Sequence, residues 1–409
     1  MSLLKHKGLM LALVVLAVAV AVTFGGRLFG AVSVFHDPSE AKTYTTSGLG
    51  FLQKARETGD PTYYGRAETA FNQALAIDSQ NVDALIGKGS LALSRHQFKD
   101  GLALGRQAFV LDPHRAAILS LIVDGEVELG MYDDAAKSVQ DMIDMRPDLS
   151  SYSRASYVRE LNGDISGAIE LMQQAVESGA PTPENVGWVR VQLGNLYFNK
   201  GDIASAEQEY QHALVQFPGY RYALAGLGHV RAVQGRYSEA VGLYNQAINS
   251  VPLPEFVIAL GETEQAAGQT SAAAKQYDLV RVEQKLFQAN GVNTDMEMAL
   301  FEADHGKPDA ALAQARIAYA DRPSVKAADT LAWALSQAGR QQEAQQYEKL
   351  ALRLGTQDAL FFYHAGMIAY RSGDHAEARA RLGQALAVNP NFSMIYAKDA
   401  RQTLEQASK

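Results

Sequence analysis

Small residues recur along the chain at nearly constant intervals: Ala67, Gly101, Ala135, Ala168, Ala206, Ala240, Ala273, Ala311, Ala344 and Ala378. Successive differences are 34, 34, 33, 38, 34, 33, 38, 33 and 34 residues. Seven positions after each stands a second residue, alanine in eight units and Met142 or Val280 in the other two. A spacing of seven places both on one helix face, where missing side chains let a neighbouring helix approach closely. Five positions before the first small residue stands glycine in eight units: Gly130, Gly163, Gly201, Gly235, Gly268, Gly306, Gly339 and Gly373. That position predicts the end of a first helix and a tight turn with positive φ. Pro113, Pro147, Pro218, Pro252, Pro323 and Pro390 close several units, where proline stops a second helix. A period near 34 with these marks predicts about ten stacked helix-turn-helix units whose core lies between neighbours.

Within this pattern Leu193, Gly194, Tyr197, Ala206, Tyr210, Ala213 and Pro218 stand in fixed register. The next unit repeats the order with Leu227, Gly228, Ala240, Tyr244, Ala247 and Pro252, with Arg231 in place of the tyrosine. In these residues the chain resembles the tetratricopeptide repeat family. The resemblance covers most of the chain and implies an all-α, right-handed solenoid over residues 43–390, followed by a polar capping helix at 391–409.

Two intervals carry about four extra residues. The first, around 177–186, holds Gly179, Pro181 and Pro183 and reads as a loop. The second has no breaker from Ala272 to Asn290 and predicts one elongated second helix. Around Gly59, Asp60, Pro61 and Gly65 the first unit is expected to have a lengthened turn.

The N-terminus follows different rules. Residues 1–7 carry Lys5 and Lys7, and residues 8–26 contain no charge and only Thr23 as a polar side chain. Nineteen helical residues reach roughly 28 Å, close to the hydrocarbon thickness of a bilayer. A cleaved signal would have a shorter apolar stretch and a polar exit, whereas Ala19 and Ala21 lie inside the run and the exit stays apolar. The expectation is one transmembrane signal anchor at 8–26, joined by a linker at 27–42 to the repeats. With Arg27 alone close behind the span, the positive-inside rule leaves the repeats extracytoplasmic, periplasmic or on the cell surface. Cleavage would make the protein secreted. No cysteine is present, so neither disulfides nor lipid attachment through cysteine contributes.

A net charge of -8 with mixed signs, no basic stripe and no arginine-rich tail argues against nucleic acid as a partner. No metal-ligand spacing, nucleophile elbow, phosphate loop or cofactor motif occurs. Nine histidines are scattered, and His364 and His375, on either side of a predicted turn, read as packing and turn polarity. Neither catalysis nor a cofactor is therefore expected.

The family resemblance implies that the first helix of each unit lines a concave groove, at positions 18, 15, 11 and 8 before the small residue. In the fifth unit these are Trp188, Val191, Asn195 and Phe198, and in the sixth Tyr222, Ala225, His229 and Ala232. The ninth presents Lys326, Asp329, Trp333 and Ser336, the tenth Leu360, Tyr363, Met367 and Tyr370. Trp188, Asn195, Phe198, Tyr222, His229, Trp333, Tyr363 and Tyr370 are the candidate partner-binding residues, because aromatic side chains with polar tips grip extended partners at low entropy cost. The same rings could instead pack between units. A clamp for acidic chaperone tails is not supported, since Val191 stands where the family's lysine is wanted. The implied function is an anchored scaffold binding proteins or peptides; self-association into a surface assembly and a non-catalytic place in an envelope enzyme complex are the alternatives. An elongated particle is expected.

Overall fold

The computed structural model describes residues 38–179, 182–249 and 251–409, and these form 21 helices without a strand. The anchor expected at 8–26 lies outside the described residues. Among those described, no helix is long and apolar enough to cross a membrane.

The helices pair into ten units. The first five are α1 (Pro38–Thr58) with α2 (Thr62–Ile77), α3 (Val82–Ser94) with α4 (Phe98–Leu111), α5 (Ala116–Glu128) with α6 (Tyr132–Met145), α7 (Leu149–Leu161) with α8 (Ile165–Glu177), and α9 (Pro183–Asn199) with α10 (Ile203–Gln216). The second five are α11 (Arg221–Val233) with α12 (Tyr237–Ile248), α13 (Pro254–Ala266) with α14 (Thr270–Ala289), α15 (Asp295–His305) with α16 (Pro308–Asp321), α17 (Val325–Gln337) with α18 (Gln341–Ala351), and α19 (Ala359–Arg371) with α20 (His375–Val388). The terminal α21 (Tyr396–Ala407) packs on α20 and α19.

The recurring small residues are the contact points of this stack. All ten are buried, as are the ten residues seven positions on, Met142 and Val280 included. First helices of successive units touch one another as well as their own partners, so they form the inner layer and the second helices the outer. Burial follows this division. Most residues of α17 are buried, from Val325 through Trp333 to Ser336, whereas α18 buries only Ala344 and Ala351.

The turns agree with expectation in most units. Seven of the eight predicted turn glycines have positive φ, while Gly306 adopts φ -134°, ψ -123° ahead of the Lys307-Pro308 entry to α16. In the second unit His96 stands in the glycine position and takes φ 57°. The turn of the first unit is not lengthened, because α2 starts at Thr62, directly after Gly59, Asp60 and Pro61. The predicted elongated helix is α14, with 20 residues. Around the other long interval α8 ends at Glu177, and α9 is extended to 17 residues from a Thr182 cap.

The array winds back on itself, a feature absent from the repeat pattern. The turn of the first unit meets the start of the sixth, and the turns of the second to fifth units meet the segments that follow the seventh to tenth. Arg221 Nη2 donates to Glu57 O at 3.2 Å. Asn293 N donates to Arg95 O at 2.9 Å, and His96 Nδ1 lies 2.8 Å from Asn293 O. Val325 N donates to the Tyr132 hydroxyl at 2.8 Å, Thr356 Oγ1 donates to Leu161 O, and Asn389 Nδ2 donates to Phe198 O at 2.7 Å. Glycine is required at this seam for space as well as φ: a Cβ on Gly130 would stand 2.6 Å from Pro323 O. Ten units therefore make two stacked turns of five. The repeat array is thus a coil whose turns touch, a closure that the repeat pattern did not predict.

Candidate binding groove

The inner layer faces a narrow interior, and the sequence-predicted stripe divides between that interior and the core. Trp188 is 38% exposed, and Asn195, Tyr222, His229 and Tyr370 are half-buried. Phe198, Trp333 and Tyr363 are buried. Trp333 Nε1 donates to Asp304 at 2.7 Å, and the ring stacks on His364 with centroids 4.3 Å apart. The hydroxyls of Tyr363 and Tyr370 donate to Asp399 and Gln406 of α21, at 2.7 and 3.0 Å. The capping helix therefore holds the tenth unit's stripe. Phe198 packs 4.2 Å, centroid to centroid, from His229.

On α9 the open face is rotated from the predicted one. Val191 and Phe198 point into the core, and the interior face carries Asn185, Trp188, Gln192, Asn195 and Asn199, at steps of 3, 4, 3 and 4. The sequence contains this uncharged ladder; Gln192 and Asn199 were missed because the counting assigned different offsets to the face.

Two cavities meet at this ladder. One, of about 440 Å³, is bounded by α5, α7, α9 and, from the other turn of the coil, Lys326 of α17. The other, about 710 Å³, shares Ser153, Arg154 and Trp188 with it and extends to Arg56 and Arg146. Together they form one cleft. Arg154 pairs with Asp124 at 2.6 Å, Arg146 with Asp148 at 2.9 Å and Arg56 with Glu184 at 3.9 Å. Lys326 lies 4.8 Å from the centre of the Tyr157 ring. Burial lifts the Glu160 carboxyl above the usual range, against the opposing pull of Lys326.

A further cavity of about 320 Å³ lies beyond Asn199, between α9, α11, α13, α15 and the segment leading into α21. His229 and His305 line it with Glu262, Asp304 and Asp358. Burial holds His229 down at about 4, so the ring is neutral near pH 7. His305 Nε2 lies 3.0 Å from Glu262, and burial raises the Asp304 carboxyl. Deeper in the core His364 Nδ1 sits 2.9 Å from Asp329. Burial disfavours charge on His364, but the Asp329 carboxylate, together with Asp304 and Asp358, outweighs it, so the histidine lies above its ordinary range. His364 thus belongs to an inter-helix pair in the core. Among the described residues no group of three His, Asp or Glu side chains is arranged to hold a metal ion.

Comparison with known proteins bears on the two most regular units. Residues 191–253 match the tetratricopeptide repeat family. This match and the architecture support a tetratricopeptide repeat protein. Cellulose synthase 1 operon protein C of Komagataeibacter xylinus is 24% identical over 225 residues, 53% of this chain and 14% of that protein. Cellulose synthase operon protein C of Komagataeibacter sucrofermentans is 25% identical over the same shares. The chain thus spans about a seventh of the length of these curated relatives. Among solved structures, a human IFIT1 dimer with PPP-AAAA aligns over 77% of this chain and 73% of its own, at 17% identity and a TM-score of 0.51. A thermophilic tetratricopeptide repeat protein of Thermus thermophilus aligns over 49% of this chain and 98% of its own, at 20% identity and 0.40. The likeness to IFIT1 is one of fold.

Proposed function

We propose that this chain is a non-catalytic scaffold that holds a protein or peptide along the inner face of its coil. The N-terminal apolar segment tethers it, with the repeats outside the cytoplasm. The observation that supports the reading most is the open face of α9, a helix that leads into the residues matching the repeat family, since it combines an accessible indole with amide donors and acceptors. Tethering would act by concentration: confinement beside one membrane raises the encounter frequency with any partner fixed to the same surface.

Photocrosslinking in the native cell tests the binding face. A photoreactive residue at Gln192 should yield a defined protein adduct, and one at Val215, exposed on the outer layer, should not. Equal labelling from both positions, or none from Gln192, would overturn the reading. Placement is tested by fusing a phosphatase that is active only outside the cytoplasm after Lys409; an inactive fusion in cells that make the full chain would refute it.

A further inference from the structure

The cavity beyond Asn199 differs from the cleft along α9 in the sign of its charge. Its ionisable lining is Glu262, Glu297, Asp304, Asp358, His229 and His305, with no lysine or arginine. Glu297 is engaged with Arg322 at 3.3 Å. Within the described residues Glu262 has only His305 as an ion-pair partner. Asp304 accepts from the Trp333 indole and Asp358 from the Leu360 and Phe361 amides of α19, and neither has a basic side chain on it. Glu262, Asp304 and Asp358 therefore line one small space with nothing to balance them but histidine. His229 adds no positive charge near pH 7, since burial holds it down at about 4. Burial raises the Asp304 carboxyl, and Glu262 adds to the effect.

His305 contributes a polar atom with no partner. Its side chain is only 7% exposed, and its Nε2 sits 3.0 Å from the Glu262 carboxylate. A carboxylate can only accept, so in the neutral ring Nε2 carries the proton and Nδ1 is left as an acceptor. That Nδ1 has no hydrogen bond within the described residues, and its ring is part of the cavity wall. The rest of the wall is largely apolar, with Phe198, Ile258, Leu300, Phe301, Phe392 and Tyr396.

A cation on an aliphatic stem answers both halves of this lining. The stem packs on the apolar wall, and the head sits among carboxylates and ring faces that attract positive charge. An anion would meet carboxylates, and a neutral side chain would desolvate them without return. A bare metal ion is not the match, because among the described residues no three such groups are arranged to hold one. At about 320 Å³ the space is at the lower end for binding pockets, room for one long side chain. Asn199 lines both this cavity and the cleft along α9, so a chain held on the α9 face reaches it. We infer that the cavity is an anchoring pocket for one basic side chain, lysine or arginine, of a peptide held along the inner face. Glu262, Asp304 and Asp358 are its counter-charges, and His305 Nδ1 is an added acceptor. The inference rests on the scaffold reading and gives it the chemistry of the partner's anchor.

Calorimetric titration of the full-length protein with four acetylated, amidated heptapeptides of sequence Gly-Ser-Ala-X-Ala-Ser-Gly tests it, with X as lysine, arginine, norleucine or glutamate. At low ionic strength, where charge is least screened, at least one basic peptide should bind saturably and tenfold or more tighter than the norleucine peptide, which keeps the stem and lacks the charge. The glutamate peptide should not bind. Glu262→Gln can still accept from His305, and Asp358→Asn can still cap α19; each should cut the preference for the basic peptide several-fold with unchanged helical circular dichroism. No saturable binding of either basic peptide at millimolar concentration, equal affinity for the norleucine peptide, or a preference unchanged in both variants would overturn the proposal. So would competition by the pentylammonium ion as strong as by the lysine peptide, which would make the cavity a site for free amines. A defined protein adduct from Gln192 alongside any of these failures would leave the scaffold reading standing and remove only the basic anchor.

Discussion

At the level of single residues, the interior aromatic stripe is two populations. Trp188 is accessible, whereas Trp333 is sealed between Asp304, His364 and the Arg371 guanidinium, which lies 4.9 Å above its ring. The sealed half rests on ion-paired and hydrogen-bonded groups that are costly to orphan. Asp329→Ala would leave His364, 1% exposed, with no carboxylate at Nδ1. Removing one partner of a buried pair costs about 3 kcal/mol or more, so urea denaturation should show a loss of that size, and a loss below about 1 kcal/mol would mean the pair is dispensable. Both tryptophans were legible as members of one helix face. Their opposite fates were not, because periodicity assigns a face but not what stands in front of it. In the tenth unit that is α21, and Tyr363 and Tyr370 reach it through partners 36 residues away.

At the level of elements, the repeat pattern carried nearly everything that decides helix boundaries. Alanine and glycine at the close approaches, turn glycines and closing prolines are local signals, and α14 announced its length by lacking a breaker. The exceptions occur where another part of the coil intrudes. His96 accepts a left-handed conformation, costly for a residue with a Cβ, and its ring meets Asn293 O. His96→Gly should be close to neutral, since relief of about 1 kcal/mol offsets one lost hydrogen bond of similar worth. His96→Val loses the bond and places a branched side chain at positive φ, and should lower thermal stability by about 2 kcal/mol. Equal melting temperatures for the two variants would show that positive φ at this position carries no cost. On α9 the misassigned face has a different origin: the offsets of 15 and 8 fall on the core side of the helix, so Val191 and Phe198 are buried there as Ala225 and Ala232 are on the 13-residue α11.

At the level of the whole molecule, the seam decides the shape. Its partners lie 191 to 197 residues apart at four of the five joints, and each joint uses a backbone group or one side chain, which leaves no periodic trace in the sequence. Lys99 and Asp321 bridge it at 2.9 Å on the exposed surface. Because the chain has no cysteine, spin labels on Lys99→Cys and Asp321→Cys report only this gap. A single, short and narrow distance distribution by pulsed electron paramagnetic resonance is expected in solution, and a long or broad one would mean that the turns come apart. The winding also reverses the usual weakness of a linear array, which frays from its tips. The fifth unit holds the tenth through Phe198 and Asn389, and the sixth holds the first through Arg221 and Glu57. Both ends of the folded chain are therefore moored to its midpoint, and the midpoint acts as a keystone: damage there would free two ends at once, while damage at either end would release only one.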